Sequence, residues 1–457
     1  MKRKVNILTL IFLFLVCAFT MFGTPPESAT AQSVNQLWVV VGAALVFFMQ
    51  LGFLFLEVGL VQPKTVLSVA AKNVLDVMVV TLAFYLVGFG FMFGTSFEGF
   101  IGTDLFLLKD YAKQDSLGLG YIFFLFQLGF VAAAATIVSG AMAGRTGFPT
   151  YLLIAVTIAV VIYPFMGHMV WGNAMVGENE TFLTKLGFID FAGGTVVHLL
   201  GAVISFIGTM MLGPRLGRFD SKGKPRELES SKFAFGWAAS GVIVLWFGWW
   251  GFNGASTLEF SDTVNTVLIN TNLSAVAAGL TAFLHSWFIQ DKNALLEKFL
   301  GGILGGLVVI TPCAHILTPN MAIVAGLLGG VIHNIGYDLV LYKWKIDDPV
   351  GAIPVHGFCG AFGTLCVAFF GDISAFGDNT RLEQLGVQLI GIMTCIVWVS
   401  ITAYLMFFTL RKTIGLRVSP DEEKAGINIS LDESDFLSDE DDDDEELSED
   451  ELKDLLG

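Results

Sequence analysis

Eleven stretches of roughly 20 apolar residues follow one another along this chain, near 37–61, 75–96, 119–143, 149–171, 191–213, 233–253, 266–289, 297–314, 318–341, 350–370 and 384–410. A stretch of that length crosses the ~30 Å hydrocarbon core of a bilayer as a helix, and in lipid only a helix or a closed barrel satisfies every backbone N–H and C=O. The chain is therefore expected to be an all-α polytopic membrane protein with eleven transmembrane helices. Composition agrees, since 54% of the 457 residues are hydrophobic and 14% charged, where an ordinary soluble domain carries about 25% charged.

Charge is distributed unevenly. The formal net charge is −16, but residues 421–457 hold 18 acidic residues against two lysines, which leaves 23 of each sign in the rest. The membrane body is neutral and the acidity belongs to the tail. A run such as Asp439-Glu-Asp-Asp-Asp-Asp-Glu-Glu446 cannot bury a core, so residues 419–457 are expected to be a largely disordered cytoplasmic tail, either simply solvated or a docking segment for a basic regulatory protein. At the other terminus, Lys2-Arg3-Lys4, an apolar run from about Ile7 to Phe22 and the small-residue stretch Ala29-Thr30-Ala31 read as a signal peptide, residues 1–31; an uncleaved first helix is the alternative.

Short cytoplasmic loops collect Lys and Arg. With the mature N-terminus outside, the inner segments carry sixteen basic residues, among them Lys64, Lys72, Arg145, Arg215 and Arg417, and the outer ones four, Lys109, Lys113, Lys185 and Arg381. This predicts N-out, C-in insertion in the cytoplasmic membrane. Under that topology two similar phrases acquire meaning. Asp190-Phe-Ala-Gly-Gly-Thr-Val-Val-His198 opens the fifth span from outside, and Asp348-Pro-Val-Gly-Ala-Ile-Pro-Val-His356 opens the tenth from inside. Eight helical residues carry each histidine about 12 Å into the core, so the two approach the midplane from opposite faces. An offset of five spans is what an inverted five-plus-five helix repeat produces, with the eleventh helix outside it.

Histidine near a midplane is costly unless it faces a pore or a partner, which makes His198 and His356 candidate functional residues. His168, His285, His315 and His333 read as structural. Asp190 and Asp348 sit where helix N-caps would, and capping is the favoured reading over contact with a substrate. Phe126, Phe130, Trp171 and the run from Trp246 to Ser256 either anchor the membrane interface or present aromatic faces to a small cation. The five cysteines, Cys17, Cys313, Cys359, Cys366 and Cys395, lack ligand spacing, so neither a disulfide framework nor a metal site is expected. No nucleophile, nucleotide or cofactor constellation is present, which argues against an enzyme.

These motifs resemble the ammonium transporter family, the Amt/Mep/Rh group. The resemblance rests on 190–198 continuing through Gly201-Ala202 and Ser205 to Gly213-Pro214-Arg215, on Asp347-Asp348 with Val355-His356-Gly357, on Glu57-Val-Gly-Leu-Val61 with Lys64, and on Trp249-Trp-Gly-Phe252-Asn253. It covers about residues 33–420 and implies a trimer with one pore per subunit. It further implies that His198 and His356 form a proton-relaying pair, that Phe130 and Phe252 form a gate with Phe126 just above, and that Trp171 and Ser256 recruit ammonium beside Asp190. Neutral ammonia would then pass an apolar pore. The chain departs from the family pattern at Gly144, where Glu is usual, and at Asn428, where Asp is usual; both departures weigh against a PII-type partner. They also leave a second reading, an ammonium sensor of the same fold that signals through its tail.

Overall fold

The structure, a computed structural model, describes residues 31–177, 179–228, 233–290 and 294–427. The expected signal segment before Ala31, the acidic run and Asn428 lie outside the described residues. Helices dominate: α1 (Ala31–Leu60), α2 (Pro63–Phe93), α3 (Tyr121–Ala141), α4 (Phe148–Trp171), α5 (Gly194–Leu212), α6 (Ala234–Thr257) and α7 (Asp262–Phe288) are followed by α8 (Leu295–Ile310). Then come α9 (Pro319–Lys343), α10 (Ile353–Phe370), α11 (Arg381–Thr413) and a short α12 (Pro420–Ala425).

Among the described residues ten of these helices are long and apolar enough to cross a membrane. The eighth expected span corresponds to α8, which has 16 residues and a length of about 24 Å. Its flanks nevertheless reach opposite ends of the molecule. Just before it, Gln290 Nε2 donates to Asp338 at 2.6 Å at the end where 416–427 also packs. Just after it, Phe191 N donates to Pro312 O at 3.2 Å and Asp372 N to Ile316 O at 2.9 Å at the other end. The second helix begins at Pro63 rather than near 75, because polar residues that read as loop are buried with partners. Lys72 Nζ donates to Thr146 O at 2.8 Å, and the Asp76 carboxylate accepts from Tyr151 at 2.8 Å and from Thr136 at 3.0 Å.

The outward faces are apolar. Leu67 is 73% exposed, Leu82 61% and Leu382 78%, as lipid contact requires. At the centre, α3 is buried along nearly its whole length. Two pairs of helices five apart in sequence pack together, α1 with α6 and α5 with α10. Along α1 and α6 the backbones approach so closely that a Cβ on Gly52 would lie 3.1 Å from Gly241 O, and one on Gly241 would lie 2.4 Å from Leu56 N. Small residues permit such crossings between membrane helices.

The C-terminal segment is fastened to the basic loops at one end. Val418 N donates to Arg145 O at 3.1 Å, the Arg417 guanidinium pairs with Glu423 at 2.7 Å, and Leu216 N donates to Glu423 Oε1 at 2.7 Å. Lys64 Nζ donates to Glu423 O at 2.8 Å. The packed chain thus continues past 418 to the buried Ile427. Gly144 adopts φ +79°, with Arg215 3.2 Å from where its Cβ would be.

Candidate functional site

α5 and α10 start from opposite ends with the same device. Gly193 (φ +105°) and Gly351 (φ +69°) take left-handed conformations open to glycine, and each lies three residues beyond its aspartate. Asp190 Oδ1 accepts from Gly193 N at 3.1 Å, and its Oδ2 accepts from Thr195 N and Val196 N, both at 2.9 Å. Asp348 Oδ2 accepts from Ile353 N at 2.7 Å. Both helices then begin as π-turns, Gly194–Leu199 and Ile353–Phe358, a wide winding that recurs at functional sites. His198 and His356 lie inside these turns.

The two histidines meet. Their Nδ1 atoms are 3.1 Å apart, and their rings are nearly parallel at 17° with centroids 5.1 Å apart. One Nδ1 must carry the hydrogen and the other accept it, so the pair is locked as complementary tautomers. His198 is 0% exposed and His356 6%; His198 Nε2 is buried without a hydrogen-bond partner. Thr195 and Thr364 share a hydrogen bond of 2.7 Å that ties α5 to α10 beside the pair.

Above His198 the walls are aromatic. Its ring stacks on Trp249 at 5.2 Å and leans on Phe252 at 5.5 Å. Phe252 stacks on Phe130 at 4.1 Å, and Phe130 meets Phe126 edge-on at 4.8 Å and Trp171 at 6.1 Å. Phe126, Phe130 and Phe252 are buried, whereas Trp171 and Ser256 are partly exposed. Ser256 Oγ donates to Phe252 O at 2.7 Å, which leaves its oxygen lone pairs for another donor. Trp171 Nε1 donates to the main-chain oxygen of Asp190 at 2.8 Å. Asp190 therefore holds the helix start with its carboxylate and Trp171 with its carbonyl. Burial pushes the Asp190 carboxyl up to about 6 against the lowering effect of the backbone donors.

The run 246–256 divides. Trp249 is fully buried, with Nε1 donating to Thr311 Oγ1 at 2.9 Å, so it belongs to the site and not to an interface belt. Trp246 and Trp250 both donate to Asn272 Oδ1, at 3.1 and 3.2 Å, away from the histidines. The signal that separates them is the helical spacing from Trp249 to Phe252, three apart on one face. The remaining histidines lie elsewhere. His168 bonds to Met92 O at 2.8 Å and Ser96 Oγ at 2.9 Å, His333 and His285 share Asn334, and His315 stacks on Phe191.

Next to Asp348, before the start of α10, Asp347 accepts from Arg215 N and Nε, both at 2.8 Å, while Arg145 Nη2 donates to Asp347 O at 2.5 Å. Burial raises the Asp347 carboxyl, but the Arg215 hydrogen bond and the Arg145 and Arg215 charges outweigh it and hold the group well below the usual carboxylate range. Among the described residues no group of three His, Cys, Asp or Glu side chains is placed to hold a metal ion.

Comparison with known proteins agrees on one family. The model of the "Ammonium Transporter Family" matches residues 37–436. A putative ammonium transporter of Synechocystis sp. is 40% identical over 403 residues, 87% of this chain and 73% of that protein. The ammonium transporter Amt2 of Archaeoglobus fulgidus is 37% identical over 454 residues, 94% of each chain. Among solved structures, one described as a "Sensor Amt Protein" superposes with a TM-score of 0.85 at 40% identity, covering 87% of this chain and 98% of that one.

Proposed function

This chain belongs to the ammonium transporter family, and we propose that it moves ammonium nitrogen across the cytoplasmic membrane by separating the ion into ammonia and a proton. Ammonium is recruited where Trp171 and Ser256 meet the solvent above the buried Phe126: the aromatic faces attract the cation, and the Ser256 oxygen accepts an N–H. A bare ammonium ion is too costly to carry between the stacked Phe130 and Phe252 rings into a dry apolar lumen, so it gives up a proton at this mouth. Neutral ammonia passes the phenylalanine pair as the gate opens.

The proton takes the histidines. The observation that carries this reading is the 3.1 Å contact between His198 Nδ1 and His356 Nδ1. A proton arriving at the free Nε2 of His198 releases its Nδ1 hydrogen to His356, which can then release one from its own Nε2. Asp190 and Asp348 position the two helix starts. The basic loops on the side of the packed C-terminus favour a cytoplasmic tail and an external N-terminus. We read the chain as signal peptide 1–31, membrane domain 32–418 and tail 419–457, assembled as a homotrimer, with the acidic tail as a docking segment for a cytoplasmic regulatory protein and the residues at Gly144 and Asn428 weighing against a PII-type one.

A second reading, an ammonium sensor, is favoured by the likeness to the structure described as a sensor Amt protein. Flux separates the two. In proteoliposomes the transporter reading expects an ammonium-evoked current that saturates; tight ammonium binding with no current and no swelling would favour the sensor.

A further inference from the structure

His356 borders a small cavity on the side of the pore away from the phenylalanines, and the cavity is shared with a carboxylate that the relay described above does not use. Its volume is about 20 Å³, and Glu57, Thr136, Gly351 and Val355 line it together with His356. A space of that size holds one water molecule. Glu57 lies in α1 at 1% exposure. One of its oxygens, Oε2, accepts from Asn73 Nδ2 at 3.1 Å and from Ser139 Oγ at 3.2 Å. The other, Oε1, is buried without any hydrogen-bond partner. A buried carboxylate oxygen left unsatisfied is expensive, and such exceptions call for a reason.

The surroundings supply one. The cavity shares Leu56, Leu304, Val350 and Gly351 with a second of about 20 Å³. That one shares Leu60, Leu300, Glu297 and Tyr337 with a third of about 280 Å³ that reaches Gln62 and Arg218 at the basic mouth. Glu57 thus stands at the head of a string of cavities leading from His356 to the end where the C-terminal segment packs. With both Nδ1 atoms committed to each other, a proton can leave the histidine pair only through His356 Nε2. It then needs an acceptor on that side.

We propose that Glu57 is that acceptor: the station that takes the proton from His356 through one water in the shared cavity and hands it on to the inner mouth. In the step, the His356 Nε2–H bond breaks and its proton joins the water. The water gives one of its own protons to Glu57 Oε1, and the ionised carboxylate becomes a neutral acid. The acid then releases the proton to water in the string of cavities and regains its charge, so one positive charge has crossed and Glu57 is unchanged. The bonds from Asn73 and Ser139 to Oε2 hold the carboxyl in place while Oε1 does the exchange.

The inference rests on the transport reading, and the experiment keeps the two apart. Ammonium-evoked current and ammonia-driven swelling are measured in proteoliposomes for the parent, Glu57→Gln and Glu57→Asp, with assembly checked by gel filtration. If the parent itself gives no current, the transport reading fails. With a conducting parent, Glu57→Gln, which keeps the volume and the bonds to Asn73 and Ser139, is expected to lose current by about a hundredfold while swelling persists. Glu57→Asp, still ionisable, is expected to keep about a tenth of the parental current. A Gln variant with current close to the parent overturns the proposal. So does loss of both current and swelling in an assembled Gln variant, since that marks Glu57 as a packing residue. Should the Gln variant not assemble, the Asp variant decides: reduced current with intact swelling supports the station, and parental current overturns it.

Discussion

Asp190 and Asp348 occupy matching positions, yet their loads differ. Asp190 satisfies three backbone N–H groups with both oxygens, whereas Asp348 accepts from Ile353 at 2.7 Å and leaves Oδ1 buried and unpartnered. Removing the first strands several helix-start donors away from water; removing the second gives up less and also relieves an uncompensated oxygen. We expect Asp190→Ala to cost about 2–3 kcal/mol and Asp348→Ala about 1 kcal/mol or less. Thermal unfolding in detergent checks the ranking, and the reverse order contradicts it. The capping role was legible from position alone. The fate of Trp249 was not, because composition treats it like its neighbours Trp246 and Trp250, and only the face it shares with Phe252 sends it to His198.

Among the helices, α1 and α6 cross with their backbones in close contact. A methyl group on Gly241 would lie 2.4 Å from Leu56 N and 2.6 Å from Gly52 O, backbone atoms that cannot turn aside. Gly241→Ala is expected to force the pair apart, at a cost of about 1–3 kcal/mol, and so to widen the wall that carries Glu57 and Trp249. A lower unfolding midpoint together with a leakier current checks this; a variant indistinguishable from the parent contradicts it. The apolar runs announced ten helices closely enough, but the start of α2 at Pro63 was hidden. Lys72 looks like a loop residue until Thr146 is seen to satisfy it. The π-turns were hidden too, since winding leaves no mark in residue type. What the sequence did carry was their consequence, the repeated interval from acid through glycine to histidine.

For the molecule as a whole, the C-terminal segment is as much part of the body as the loops it touches. Glu423 joins Arg417 to Leu216 N, and its backbone oxygen receives Lys64. Glu423→Ala is expected to free this segment, so that trypsin cuts after Arg417 and Lys424 at least several-fold faster than in the parent; unchanged cleavage contradicts the packing. Acid acts at the neighbouring ion pair. The Asp347 carboxyl is held below its ordinary value despite burial, so its contribution is complete above about pH 4, the unfolded value, and fades only as pH falls through the lower folded one. Protease resistance of the segment should accordingly be level from about pH 5 to 8. Charge counting anticipated which loops would share an end with this segment, but their meeting at Asp347 and Arg145 depends on contacts more than two hundred residues apart, beyond the reach of any local pattern.

The central claim is that ammonium is divided at the mouth and that the proton crosses on two histidines in contact. Replacing His198 and His356 together by alanine removes that path and leaves an apolar channel. In proteoliposomes the account predicts that the double variant loses ammonium-evoked current by about a hundredfold or more while ammonia-driven swelling continues. An undiminished ammonium current in the assembled double variant would contradict it.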